Sequence, residues 1–158
     1  GNRHPNIQPQ NVYPVSDGYI VLAVGNDGQF EKFCDCIGQP ELAKDPKFAT
    51  NVARVENLEA LEAILKLALA GGTISHWVET FAQAGVPSGP INTIDRVFQE
   101  PQVLHRNMLR DIPHPLGGTV SQVVSPLNFR NAPLTFDTPP PLLGQHTQDI
   151  LAALDLGD

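Results

Sequence analysis

The side chains best suited to chemistry in this chain are five histidines and two cysteines. The histidines are His4, His76, His105, His114 and His146. None of them has the spacing to an acidic residue or a cysteine that a metal site requires. Cys34 and Cys36 lie two residues apart in a stretch that reads as a helix, so their side chains point in different directions and a mutual disulfide is geometrically poor. We therefore predict no metal centre and two reduced thiols that act as small, half-buried residues.

Charge and motif content exclude further classes of function. Ten Lys and Arg residues stand against seventeen Asp and Glu, without a basic block, so we expect no nucleic-acid partner. The chain has no Gly-x-Ser-x-Gly elbow, no phosphate-binding glycine loop and no paired-carboxylate pattern. No run approaches the roughly 18 apolar residues of a membrane span, and the opening is unlike a signal peptide. We therefore expect no membrane partner and a cytoplasmic location. Because the chain starts without Met, we expect it to be processed or truncated.

The first half of the chain alternates strand and helix patterns. Residues 12–15 and 19–24 flank an Asp-Gly turn and predict a β-hairpin, with Pro14 at a sheet edge and the apolar second arm buried on both faces. A helix over 28–37 follows, with side-chain oxygens of Asn26 or Asp27 available as caps.

Two further helices are indicated before residue 86. One begins near a possible cap at Asn51 and continues to Leu69, because apolar residues recur there every three or four positions. Thr73 is expected to cap the next, which ends at Gly85.

The character of the chain changes at residues 86–90, where two prolines and a glycine forbid a continuing helix. Two short helices and two β-like stretches, 109–112 and 119–124, are expected beyond it. A proline-rich arm and a candidate helix with Ile150, Leu151 and Leu154 close the chain. Such an arm cannot bury its apolar face alone and needs a body on which to dock. The residues by themselves predict an α+β fold, a small antiparallel sheet packed with helices.

Seven short blocks carry a resemblance to a known family. They are GNRHPNIQP at 1–9, DG at 17–18, VGNDGQF at 24–30, DPKFATN at 45–51 with RV at 54–55, AGVPSGPI at 84–91, SPL at 125–127 and PLLGQHT at 141–147. In this order they resemble the CaiB/BaiF family, the class III CoA-transferases. The resemblance implies a small α+β domain at 1–84, a linker at 85–100 and a segment at 101–158 that, in the full-length family, returns to complete a Rossmann-like α/β domain. It also implies a homodimer of interlocked chains.

The resemblance further implies a reaction. In the family's transferases an aspartate attacks an acyl-CoA, and CoA is carried as an aspartyl thioester to an acceptor carboxylic acid. Coenzyme A is then a substrate, and no cofactor is implied. The region that holds the nucleophile would lie upstream of Gly1, so we expect no catalytic residue here and no activity from this chain alone.

Five residues are candidates for substrate binding by the same resemblance. Asn2, Arg3, His4 and Asn6 correspond to the family's mobile loop over the active site, where Arg3 or His4 would meet the acyl carboxylate or shield the thioester from water. The alternative for this stretch is a frayed N-terminus without a functional role. Asp27 stands near the position of a racemase glutamate, with helix capping as its alternative role.

Three functions remain open at this point. The chain is part of a CoA-transferase, part of an α-methylacyl-CoA racemase-like enzyme, or a standalone non-catalytic interaction module.

Overall fold

The computed structural model describes residues 1–154 and shows two compact units, Gly1–Ile91 and a second that begins at Asn92. Each contains a small antiparallel sheet together with helices, which is the α+β class that the sequence predicts.

A three-stranded sheet forms the base of the first unit. Strands β1 (Gln10–Val15) and β2 (Gly18–Ala23) form the expected hairpin. Strand β3 (Ser88–Pro90) adds antiparallel to β2, so the order is β1-β2-β3 and Pro14 lies in an edge strand as predicted. This third strand lies inside residues 85–100, for which the sequence predicts a linker and no strand.

The prediction that the second arm is buried on both faces is wrong. Ile20 and Leu22 are fully buried, whereas Tyr19 is 54% exposed and Val21 37% exposed. Successive side chains of a strand point to opposite faces, and within this unit only one face of the sheet packs against helices.

Four helices and a 3-10 turn surround that face. They are α1 (Asp27–Cys36), the turn Pro40–Ala43, α2 (Asn51–Glu56), α3 (Leu58–Leu69) and α4 (Ile74–Ala84). The caps of α4 follow prediction, since Thr73 Oγ1 accepts a hydrogen bond from His76 N at 3.2 Å and Gly85 adopts a φ of 72°. Phe33, Trp77 and Phe81 pack at the centre, with ring centroids 5.4 Å apart in each pair that includes Phe81.

The single helix expected from Asn51 to Leu69 is in fact two. The break falls at Asn57, whose side-chain amide donates to the carbonyls of Ala53 and Lys47 at 3.0 and 3.3 Å. Asparagine competes with the helix in this way because its side chain offers the backbone alternative hydrogen bonds. Thr50, rather than Asn51, caps α2.

Most side chains of the second unit are exposed. It contains α5 (Ile94–Val97), α6 (Pro101–His105), a hairpin of β4 (Leu109–Pro113) and β5 (Thr119–Val123), and α7 (Thr147–Ala153). Its exposed apolar side chains include Leu127, Phe129, Leu134, Leu143, Ile150 and Leu151. Within residues 1–154, none of the helices is both long and apolar enough to cross a membrane.

Candidate functional site

Four of the five candidate binding residues lie in the opening segment, residues 1–9, which is folded against the first unit. His4 N donates to Gln10 O at 2.9 Å, and Gln8 Nε2 donates back to His4 O at 2.6 Å. Gln8 is completely buried. His4 Nδ1 accepts from Asn6 N at 3.1 Å. From His4 to Gln10 the chain therefore forms a closed loop.

Asn51, at the start of α2, holds this loop by its backbone. Its Oδ1 accepts from Gln8 N at 3.0 Å and its Nδ2 donates to Asn6 O at 2.8 Å. The sequence pattern around Asn51 indicates only a helix cap. No local pattern connects residues separated by more than forty positions, so this role could not be found from the sequence alone.

Arg54 lies one turn further along α2 and is completely buried. Its Nε donates to Gln8 O at 2.7 Å and its Nη1 to Phe48 O at 2.8 Å. The guanidinium carbon lies 4.3 Å from the centre of the Phe30 ring, within cation–π range. A charge in such a place is tolerable only when its donors are paired, and Arg54 pairs with two carbonyls and a carboxylate.

That carboxylate is Asp27, the fifth candidate residue. Its Oδ1 accepts from Arg54 Nη2 at 2.7 Å, while its side chain remains 55% exposed. The expected alternative of helix capping is wrong, because Asn26 caps α1 by accepting from Gln29 N at 2.9 Å. Asp27 is thus linked through Arg54 to Gln8 in the opening segment, and part of its carboxylate stays accessible.

Asn2 and Arg3 line an open cleft of about 330 Å³ with Gly1, Asn11 and Glu62. Both Asn2 and Arg3 are exposed. At the other side, Glu62 Oε1 accepts from Asn11 Nδ2 at 2.9 Å and Glu62 Oε2 lies 3.5 Å from Lys66 Nζ. The cleft thus contains the carboxylate of Glu62, paired with Lys66, and Arg3, whose guanidinium is suited to an anionic ligand.

The pKa of each thiol is raised above its ordinary value, which disfavours the thiolate form. Both are free, and Cys34 is completely buried in the core. Burial raises the pKa of Cys34 to about 12 and also raises the pKa of Cys36. Over residues 1–154 the structure contains no group of three or more His, Cys, Asp and Glu side chains arranged for a metal ion.

Comparison with known proteins identifies the family. The profile described as "CoA-transferase family III" matches residues 1–147. This chain belongs to CoA-transferase family III. A succinate–glutarate CoA-transferase of Agrobacterium fabrum is 37% identical over 155 residues, which are 98% of this chain and 39% of that protein. The human succinyl-CoA:glutarate CoA-transferase is 39% identical over 151 residues, 96% of this chain and 34% of that protein.

A solved structure agrees with this assignment. The chain resembles a CAIB/BAIF family protein from Brucella suis with a TM-score of 0.82 and 44% identity, over 98% of this chain and 40% of that one. The family III chain described here therefore spans between about a third and two fifths of the length of these three relatives.

Proposed function

We propose that this chain works as part of an acyl-CoA:carboxylate CoA-transferase, which moves coenzyme A from an acyl-CoA to a free carboxylic acid. The family match over residues 1–147 carries the proposal. The relatives that the chain matches over nearly all of its own length are CoA-transferases by name, which favours transfer over racemisation.

The proposed reaction divides one thioester exchange into steps. A carboxylate of the enzyme attacks the acyl-CoA carbonyl, forms a mixed anhydride and releases CoA thiolate. The thiolate then attacks the carbonyl that comes from the enzyme's own carboxylate. This forms an enzyme–CoA thioester and releases the donor's free acid. The acceptor acid then repeats these steps in reverse. We place the nucleophilic aspartate in a region outside this chain, so the chain's contribution is to bind substrate.

Arg3 is the residue that we assign to the acid. Its exposed guanidinium lines the open cleft and can make a bidentate, charge-assisted contact with a carboxylate. Two relatives carry the names of dicarboxylic acids, succinate and glutarate. We therefore propose a dicarboxylic acid as substrate, with Arg3 on the carboxylate that does not react.

The remaining candidates support that contact. His4 would shield the thioester from water, while Asn2 and Asn6 shape the loop and Asp27 offers its accessible carboxylate oxygen to the substrate. We also propose that the region after residue 100 docks by its exposed apolar side chains on a larger domain, in a cytoplasmic homodimer.

The first test compares this chain with the full polypeptide from which we propose that it comes. Each is incubated with succinyl-CoA and a panel of free acids, and new thioesters are measured by mass spectrometry. We expect transfer only by the full polypeptide. Turnover by the pure chain would contradict the external nucleophile, and inversion of an α-carbon without a new thioester would indicate a racemase.

The second test replaces Arg3 in the full polypeptide. Arg3→Ala should raise the Michaelis constant for a dicarboxylic acceptor by roughly ten- to a hundredfold, since a hydrogen bond to a charged group contributes about 1.5 to 3 kcal/mol. A monocarboxylic acceptor should be unaffected. Arg96→Ala, at an exposed arginine that precedes the region proposed to dock, is the matched control.

His4→Ala should increase hydrolysis of acyl-CoA relative to transfer. An unchanged ratio of hydrolysis to transfer would remove His4 from the site.

A further inference from the structure

Two side chains of α2 bind the backbone of the opening segment at neighbouring groups. Asn51 pairs with Asn6 O and Gln8 N, and Arg54 pairs with Gln8 O. They lie three positions apart and therefore on one side of the helix. The carbonyl of Asn6 and both backbone groups of Gln8 are thus held by side chains, in place of a strand partner.

The loop that these residues hold is also closed on itself. His4 N and Gln10 O join its two ends, and the buried Gln8 side chain reaches back to His4 O. Lifting it away would remove one carbonyl partner from a completely buried guanidinium. Loss of a partner from a buried charge is costly, so residues 4–10 are expected to stay in place.

We propose that Asn51 and Arg54 are positioning residues, which fix residues 4–10 as a rigid support from which Arg3 reaches the acid. The proposal rests on the function proposed above and changes one expectation, since a loop held in this way does not act as a mobile lid.

Asn51 is the better residue to test, because Arg54 also bonds Phe48 and Asp27 and its loss threatens the fold. Asn51 uses its amide as both donor and acceptor, so Asn51→Ala removes two contacts with the loop. Asn51→Asp keeps an acceptor for Gln8 N but loses the donor for Asn6 O. The matched control is Asn57→Ala, because within residues 1–154 the side-chain amide of Asn57 donates to Lys47 O and Ala53 O and makes no hydrogen bond to residues 4–10.

The first measurement is hydrogen exchange on this chain. Peptides that contain His4 and Gln8 should exchange at least about tenfold faster in Asn51→Ala, with an intermediate effect in Asn51→Asp, because each lost hydrogen bond contributes about 1 kcal/mol. In Asn57→Ala they should exchange as in the wild type. Unchanged exchange of these peptides in Asn51→Ala would contradict the proposal that Asn51 holds residues 4–10 in place.

The second measurement is a double-mutant cycle on the full polypeptide. If Asn51 acts through Arg3, Asn51→Ala should raise the Michaelis constant for the acid about tenfold with little change in kcat, and Arg3→Ala combined with Asn51→Ala should be no worse than Arg3→Ala alone. Additive effects would overturn the positioning role. Absence of transfer by the wild-type polypeptide would refute the proposed function, whereas exchange would still decide whether Asn51 holds the loop.

Discussion

Arg54 and Asp27 form an ion pair with very unequal surroundings, since the guanidinium is completely buried and the carboxylate is 55% exposed at a separation of 2.7 Å. The two groups therefore contribute differently to folding. Arg54 joins α2 to the opening segment and to the loop before α2, whereas Asp27 completes the bonding of Arg54 from the first turn of α1.

This asymmetry predicts two different losses of stability. Arg54→Ala leaves Gln8 O and Phe48 O without their donor and creates a cavity, so we expect a loss of about 3 to 5 kcal/mol in the free energy of unfolding. Asp27→Asn keeps an acceptor oxygen and should cost about 1 kcal/mol. Urea denaturation measures both, with Asp35→Asn at an exposed position of α1 as control. Equal losses for the Arg54 and Asp27 variants would contradict the described geometry.

The paired glycines before α4 should respond differently to the same substitution. A methyl group on Gly72 would overlap the indole of Trp77 and lie 2.9 Å from His76 Cδ2, whereas one on Gly71 would meet no atom within 4 Å. We expect Gly72→Ala to cost about 1 to 3 kcal/mol by overpacking and Gly71→Ala to be nearly neutral. Thermal unfolding followed by Trp77 fluorescence compares them. Similar midpoints for both variants would mean that Trp77 moves aside without cost.

Cys34 should make stability depend on alkaline pH. Burial raises the pKa of the folded thiol to about 12 from an ordinary value of 9.0, so the unfolded chain loses this proton first as the pH rises. The stability gained by burying the neutral thiol is complete below about pH 9 and falls between pH 9 and 12. Urea midpoints at pH 8 and pH 10 should differ less in Cys34→Ala than in the wild type. Rapid labelling of Cys34 in the folded protein at pH 8 would show that the thiol is accessible.

The region after residue 128 should exchange its amides faster than α3. Leu61, Leu65 and Leu69 of α3 are completely buried, whereas the apolar side chains of α7 are exposed. Low burial leaves backbone hydrogen bonds open to water. Hydrogen exchange read by mass spectrometry resolves the two regions. Uniform protection in a demonstrated monomer would contradict this expectation, and protection that rises with protein concentration would indicate pairing with a second copy.

The sequence predicted elements whose signals are local. The Asp-Gly hairpin, the Thr73 cap and the positive φ of Gly85 each depend on a few adjacent residues. Prediction from the sequence failed for features that depend on residues far apart in the chain. Strand β3 exists because β2 offers it a partner, and the contacts that Asn51 and Arg54 make with Gln8 span more than forty positions. An arginine in an amphipathic helix pattern gives no sign that it will be buried.

The short strand β3 also decides where the first unit can be separated for study. Ile91 N and Ala23 N complete the pairing on either side of β3, through bonds to Tyr19 O and Pro87 O at 3.0 and 2.9 Å. A fragment that stopped at Gly85, where α4 ends, would leave the N–H and C=O groups on one edge of β2 without partners. These groups lie beside the exposed side chains of Tyr19 and Val21. Such a strand invites self-association. Expression of the isolated unit should therefore extend through Ile91.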